Sequence, residues 1–463
     1  MVALAVFLAF LAPACAYALV DWRRAWMLVA IVGALQDPVR KLTPGAPVWI
    51  SFLVVLLYAA AVFSARHAIL AELGDFTRRF GRIYTVIIAF IFLLLLSALN
   101  GVFTFGFANW RVPLISLFTY LVPAVAALFG YAWLQREEAI LAFFRMYAAV
   151  TSVALLGTIA EYMRVQSPLL GMVAFSGDYI RHLPGIQIRL LSGIYRGPDI
   201  MALHAATLTS IGIAMALRSG VGRLTILWGS LATWGFINCM LAGRRKAIYF
   251  VVVFVLTFLW RYARRVRTAE IFALIAVLGA LYGIVRNLAA SEDTSVYARG
   301  AVASQAELKQ RFEGGALDTF RQYGLMGAGL GSATQGVHHL LGNNNLGWQE
   351  GGLGKLAAEV GLPGILALLI LGLLVFRMLM RLTIIGDVPG SSQFVRVTLF
   401  GLVAANGSSF IASAQAYSDA VLALTFGFFI GCLFATAALD ERLPKTQKSA
   451  PADANPALTP ATA

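Results

Sequence analysis

Long apolar runs, repeated along most of the chain, constrain the fold more than any other feature of the sequence. A helix needs about 20 predominantly apolar residues to cross the hydrocarbon core of a bilayer, and these runs lack the strict alternation of membrane β-strands. Of the 463 residues, 60% are hydrophobic and 13% are charged, whereas soluble domains contain about 25% charged residues. The sequence therefore predicts an all-α polytopic membrane protein.

Hydropathy divides the chain into about 12–13 transmembrane helices. Ten of them fall within residues 1–285, which include a polar loop at 164–199. A large polar loop follows at 286–352, then the C-terminal helices at 353–439 and a disordered tail at 440–463. The predicted spans are Val2–Val20, Ala25–Leu35, Val48–Ser64, Ile83–Leu99, Val112–Leu134, Ala139–Tyr162, Ile200–Leu217, Leu224–Leu241, Ala247–Trp260, Ala269–Val285, Leu353–Met380, Val397–Ser413 and Ala420–Leu439.

The net charge of +14 is attributed mainly to basic cytoplasmic loops rather than to a nucleic-acid partner, because Lys and Arg concentrate on the cytoplasmic side of membrane proteins. The short basic segments 66–82, 218–223 and 261–267 then lie inside, together with the tail 440–463. All three cysteines fall in apolar stretches, so no disulfide framework and no cysteine metal site are expected.

This orientation places three other basic regions on the outer side: the loops 164–199 and 286–352 and the turn 243–246. Outer cations at a helix mouth suit an anionic ligand, and the planar guanidinium of arginine matches the oxygens of a diphosphate. The alternatives are contact with lipid phosphates or an inverted assignment of the sides. The candidate substrate-binding residues are Arg189, Arg196, Arg244, Arg245, Lys246 and Arg321.

The second loop contains further candidates for chemistry. Five glycines between Gly324 and Gly336 would let backbone amides approach a ligand, or would simply form an irregular loop. Glu350, where the loop meets the membrane, can serve as a general base or as an ordinary acid at a helix start. The adjacent His338 and His339 are further catalytic candidates but a weak metal signal. No metal and no cofactor are predicted.

Four short motifs in residues 190–370 resemble the O-antigen ligase and polymerase superfamily of bacterial envelope glycan assembly. They are the segment 192–199 before a middle helix, the turn 243–247, the glycine-rich block 327–331 and the Glu-x-Gly-x-x-Gly pattern at 359–364. In one respect the chain departs from the family. The family's catalytic histidine position falls on Glu350, so Glu350 replaces it, or the chemistry differs, or His338 or His339 reaches the site from the loop.

The resemblance implies a C-type glycosyltransferase-like fold with a large periplasmic loop, in the bacterial inner membrane with its active face periplasmic. It implies a metal-independent glycosyltransferase that polymerises or ligates glycan from an undecaprenyl-diphosphate-linked donor onto a glycan or lipid acceptor. Other polysaccharide assembly proteins are candidate partners, and the bilayer is an obligatory one. The alternatives are a flippase for the same lipid-linked glycan, although the sequence lacks the repeats usual in transporters, and a non-catalytic partner of an export machine.

Overall fold

The computed structural model describes residues 2–173, 180–183, 186–220, 222–262, 317–334, 349, 351–384 and 391–442. These residues form an almost wholly helical protein with one small β-hairpin. The elements are α1 (Val2–Val20), α2 (Trp22–Leu42), α3 (Leu53–Phe105), α4 (Arg111–Trp133), α5 (Glu137–Ala154), α6 (Leu156–Tyr162), β1 (Ile180–Leu183), β2 (Ile186–Arg189), α7 (Pro198–Arg218), α8 (Arg223–Leu241), α9 (Arg245–Tyr262), α10 (Gly352–Glu359), α11 (Gly361–Ile384), α12 (Ser391–Ala412) and α13 (Ala420–Arg442).

Among the described residues, nine helical stretches are long and apolar enough to cross a bilayer. The predicted class, an all-α multi-pass membrane protein, is confirmed. Helices α2 and α9 are not among these nine. The predicted span Ala269–Val285, most of the loop 286–352 and most of the tail 440–463 lie outside the described residues.

The predicted loop between the third and fourth spans is wrong, because residues 65–79 are helical within α3. At 1.5 Å per residue, the 53 residues of α3 would reach about 80 Å if straight, far more than the roughly 30 Å of a hydrocarbon core. The helix is instead kinked at Phe80, which has non-helical backbone angles. Arg79 pairs with Asp75 one turn earlier at 2.6 Å, and such pairs support a helix through a polar stretch.

Two other predicted spans contain a break. The span predicted at Leu353–Met380 divides into α10 and α11 at Gly361, which has a φ of +69°. A side chain at Gly361 would lie 2.5 Å from the carbonyl oxygen of Leu325, so glycine is needed both for the backbone angle and for the packed loop. The span predicted at Ala139–Tyr162 is confirmed as one apolar stretch, Glu137–Tyr162, with a break only at Leu155 between α5 and α6.

Small residues let the helices at the centre of the bundle approach closely, as is usual in membrane proteins. Helix α7 is buried along its length apart from Arg218, and its Gly212 lies against Ala232 of α8. In the other close pair, Gly431 of α13 packs directly on the backbone of Ala127 in α4. These contacts fix α7 and α13 in the interior, with their first residues at the same end of the bundle.

The regions predicted to lie outside meet at that end of the bundle, which we term the loop end. Lys41, in the last turn of α2, donates to the carbonyl oxygens of Leu169 and Gly193. Gly243, at the end of α8, lies against the side chains of Ile188 and Leu190. The loop 164–199 and the turn 243–246, separate in sequence, therefore share one surface.

Candidate functional site

Two basic residues of the turn 243–246 share one carboxylate at the loop end. Asp199, in the first turn of α7, has its Oδ1 atom 3.0 Å from Arg244 Nε and 2.7 Å from Lys246 Nζ. Lys246 Nζ also donates to Ser413 Oγ at 3.2 Å. Gly243 ends α8 with a φ of +61°, a conformation that favours glycine and that turns the chain so that both cations face α7. We term Asp199, Arg244 and Lys246 the cationic cluster.

Two cations, Arg244 and Lys246, contact one carboxylate oxygen in the cationic cluster. Lys246 is 9% exposed, as is the neighbouring Arg245. Charges are poorly screened in such a site, so they attract an anion more strongly than surface lysines or arginines do. The anion-binding role of the turn stays a prediction, and the structure adds Asp199, an internal counter-ion that was not among the predicted site residues.

Arg196 lies between two carboxylates that belong to different elements. Its guanidinium lies 3.0 Å from Asp419, and its backbone amide donates to Asp37 at 3.0 Å. Asp419 also caps α13 by accepting from the amide of Leu422 at 2.9 Å. Arg196 therefore joins α2, the loop before α7 and the start of α13, which favours a structural role over the predicted contact with substrate.

Beneath Arg196, aromatic residues enclose the histidine of α7. A 2.7 Å hydrogen bond joins His204 Nδ1 to the hydroxyl of Tyr147, and Tyr195 stacks on the imidazole at 5.0 Å. Burial raises the pKa of the Tyr195 hydroxyl well above its usual range, and neighbouring Tyr147 contributes further. A cavity of about 10 Å³ adjoins these rings, and such a volume holds about one water molecule. His204 thus fits a satisfied buried histidine.

A second carboxylate, Glu359 at the end of α10, is fully buried and organises the glycine-rich loop. Its Oε1 atom accepts from Ser116 Oγ at 3.1 Å, from the Gly331 amide at 3.1 Å and from Thr334 Oγ1 at 2.5 Å. Its Oε2 atom accepts from the Tyr120 hydroxyl at 2.7 Å. We term these five residues the Glu359 cluster.

Backbone amides of the glycine-rich loop were candidates for holding a ligand, but two of them already donate to carbonyl oxygens of the protein. The Ala328 amide donates to the Ala358 carbonyl at 2.7 Å, and the Leu330 amide donates to the Ser97 carbonyl at 3.0 Å. Gly329 has a φ of +97°, and a side chain there would collide with the backbone of Gly101. In this part of the loop the glycines serve close packing on α3 and α10.

The start of α10 and the cationic cluster meet at the end of α12. Lys246 bonds to Ser413 just after the last residue of α12, while a side chain on Gly352 would collide with the carbonyl oxygen of Phe410. A side chain on Gly351 would lie 3.9 Å from the carbonyl oxygen of Ile411. Phe410 and Ser413 are less than one helical turn apart. The predicted anion-binding turn and the residues that directly follow Glu350 in sequence thus flank one helix end.

The other predicted site residues lie in the hairpin, in the segment 317–323 or outside the described residues. Arg189 pairs with Ile180 in the hairpin, beside the residues that contact Gly243. Arg321 lies in the helical segment 317–323, with its side chain 83% exposed and 3.3 Å from Asp318. The three predicted catalytic residues lie outside the described residues; they are Glu350, His338 and His339.

Within the part of the chain that the structure describes, no group of three histidine, cysteine or acidic side chains is placed to hold a metal ion. In comparisons with known proteins, the chain matches no family model and no curated protein sequence.

Proposed function

We propose that the protein is a glycosyltransferase of the bacterial inner membrane that uses an undecaprenyl-diphosphate-linked glycan at the outer face and polymerises or ligates repeat units. One observation carries the proposal: the cationic cluster and the start of α10, which follows Glu350, flank the same end of α12. A donor diphosphate bound to Arg244 and Lys246 would then lie next to the segment that carries the candidate base.

The charge of the cationic cluster suits the leaving group of such a reaction. Breaking the glycosidic bond to a diphosphate builds negative charge on the departing phosphate, and preorganised cations stabilise that charge in the transition state. Arg244 and Lys246 are held in place by Asp199 at 3.0 Å and 2.7 Å, so little reorganisation is needed when the anion binds. A charged diphosphate is a good leaving group, and we expect no metal requirement.

The acceptor hydroxyl must lose its proton as it attacks the anomeric carbon, which calls for a general base. Glu350 is the candidate that the family resemblance favours, since it takes the place of the family's histidine in sequence. His338 and His339 remain the alternatives. The rival transport function receives no support from the cavity beside His204, because about 10 Å³ is far too small for a sugar.

The decisive experiment is turnover of a purified lipid-linked repeat unit by the purified protein, with and without EDTA. We expect product in both cases, and its length distinguishes a polymerase from a ligase. The Glu350→Gln variant should bind donor normally yet lose about 10²–10⁴-fold in turnover. The histidine-to-alanine variants at 338 and 339 are the matched comparison. If one of them is inactive while Glu350→Gln is active, that histidine and not Glu350 is the general base.

Two results would contradict the proposal. One is transfer of intact lipid-linked glycan across a vesicle membrane without any glycosidic product, which would establish the transport alternative. The other is labelling of a cysteine at position 244 only from the cytoplasmic side, because a donor at the outer face could not reach a cationic cluster inside.

A further inference from the structure

Lys355 of α10 is a largely buried lysine whose ammonium group makes an ion pair and a cation-π contact, but no hydrogen bond, with the described residues. The residue is 8% exposed. Its Nζ atom lies 4.0 Å from Glu359 Oε2 and 5.2 Å from the ring centre of Tyr120. Both distances exceed the 2.7–3.2 Å of a hydrogen bond from nitrogen, so these contacts orient the side chain without satisfying its three donors.

Glu359 is the carboxylate nearest to Lys355 in the described part of the chain, and it already serves several uncharged donors. It accepts four hydrogen bonds, from Ser116, Tyr120, Gly331 and Thr334. Three of these bonds fall on Oε1 and one, from Tyr120, falls on Oε2, so Lys355 shares with Tyr120 the oxygen that it approaches only to 4.0 Å. A desolvated ammonium that lacks hydrogen-bond acceptors is costly, and a bound anion would remove that cost.

Two other lysines at the loop end show what a satisfied ammonium looks like in this protein. Lys41 donates to the carbonyl oxygens of Leu169 and Gly193 at 3.1 Å and 2.8 Å. Lys246 lies 2.7 Å from Asp199 and donates to Ser413. Each has two close oxygen partners, whereas Lys355 has none within hydrogen-bond distance in the described part of the chain.

We propose that Lys355 is a further binding residue for a phosphate oxyanion of the lipid-linked donor. It lies one turn into α10, whose first residues pack on the end of α12 next to Lys246. The donor would therefore be held from two sides, by the turn 244–246 and by α10. This inference rests on the proposed function for the identity of the donor, but the oxyanion site itself can be tested without turnover.

The test uses the purified full-length protein in detergent and inorganic pyrophosphate as the probe, with binding measured by titration calorimetry. Lys355→Met keeps the length of the side chain over Tyr120 and removes the charge. We expect it to weaken pyrophosphate binding by about tenfold or more, as for the loss of one charge-assisted hydrogen bond. Lys355→Arg should retain most of the binding. Lys41→Met, the matched control at a satisfied lysine, should leave the affinity unchanged.

Unchanged affinity in Lys355→Met would overturn the inference, and so would an equal loss in Lys41→Met. A parallel titration in nanodiscs of phosphatidylcholine or phosphatidylglycerol separates the two sources of phosphate. If pyrophosphate binds only in phosphatidylcholine and Lys355→Met abolishes that difference, the natural ligand is a bilayer headgroup and the donor assignment is wrong. The two proposals can also fail separately. If Lys355→Met loses pyrophosphate binding but the wild type never turns over lipid-linked glycan, the oxyanion site is supported and the proposed function is contradicted.

Discussion

The cationic cluster and the Glu359 cluster lie at the same end of the helix bundle and use a carboxylate in opposite ways. Asp199 serves two cations with one oxygen atom, whereas Glu359 accepts from four uncharged donors with both of its oxygens. The first arrangement gathers two cations around one carboxylate oxygen, and we expect it to bind another anion. The second accepts its hydrogen bonds from uncharged groups of the protein, and it fixes the glycine-rich loop against α4 and α10.

This difference predicts how each region fails when it is altered. Removing a member of the cationic cluster should change the affinity for an anion more than it changes the fold. Removing Glu359 should leave buried donors without acceptors, and each such donor costs roughly 1–3 kcal/mol. Stability and binding measurements on the same variants therefore separate the two regions.

The largest effect is expected for Glu359→Ala. The substitution strands the donors of Ser116, Tyr120 and Thr334 in a region closed to water, and it releases the Gly331 amide. The free energy of unfolding should fall by at least about 3 kcal/mol. Thermal unfolding in detergent measures the loss, and limited proteolysis should cut the glycine-rich loop 324–334 in the variant before the wild type.

Glu359→Gln is the control for Glu359→Ala because it preserves shape and keeps one acceptor oxygen. It should lose less stability than the alanine variant and should bind pyrophosphate normally if Lys355 remains in place. A Glu359→Ala variant as stable as the wild type would show that the loop is held by its glycine packing, and the contrast between the two regions would then disappear.

The sequence predicted the membrane class correctly because it depends on the composition of long segments. It failed where helical propensity continued through polar residues, as in residues 65–79 of α3. It also failed where one tertiary contact ended a helix, as when Leu325 approaches Gly361. Within the site, the basic residues could be named from the sequence, but the pairing of Arg244 with Asp199 could not, since it requires α7 and the turn after α8 to meet.

The glycine-rich loop illustrates a further limit of prediction. A run of glycines indicates backbone that approaches something closely, and it does not say whether that is a ligand or another helix. Here the Leu330 amide bonds to Ser97 of α3, a contact that no spacing in the sequence predicts. The one available signal was Glu359 itself, an acid followed directly by the apolar helix α11, where an unsatisfied carboxylate would be expensive.

The second prediction concerns Arg244→Ala, which tests the cationic cluster directly. Binding of the donor or of pyrophosphate should weaken about 10–100-fold, since charge-assisted hydrogen bonds contribute roughly 1.5–3 kcal/mol. Asp199 keeps Lys246 as a partner at 2.7 Å, so the thermal unfolding temperature should change less than in Glu359→Ala. Equal losses of stability in the two variants would contradict the division between a binding region and a structural one.

The third prediction has the opposite sign. Asp199→Asn removes the internal counter-ion of Arg244 and Lys246, so pyrophosphate no longer competes with a fixed carboxylate and should bind several-fold tighter, by about 1 kcal/mol. Asp419→Asn is the matched control, because Asp419 pairs with Arg196 and not with the cationic cluster. It should lower stability without tightening the binding. Weaker binding in Asp199→Asn would show that Asp199 mainly orients the two cations.

The smallest effect is expected for Arg321→Ala, although the sequence places Arg321 with the substrate-binding residues. Its side chain is 83% exposed and pairs with Asp318 in the same helical segment, and exposed pairs of this kind contribute little. Stability should change by no more than about 0.5 kcal/mol, and pyrophosphate affinity by less than about threefold. Asp318→Ala, which removes the other partner, should behave the same way in both measurements. A tenfold loss of affinity in Arg321→Ala alone would show that the donor also reaches the segment 317–323, which would extend the binding region beyond the cationic cluster and Lys355.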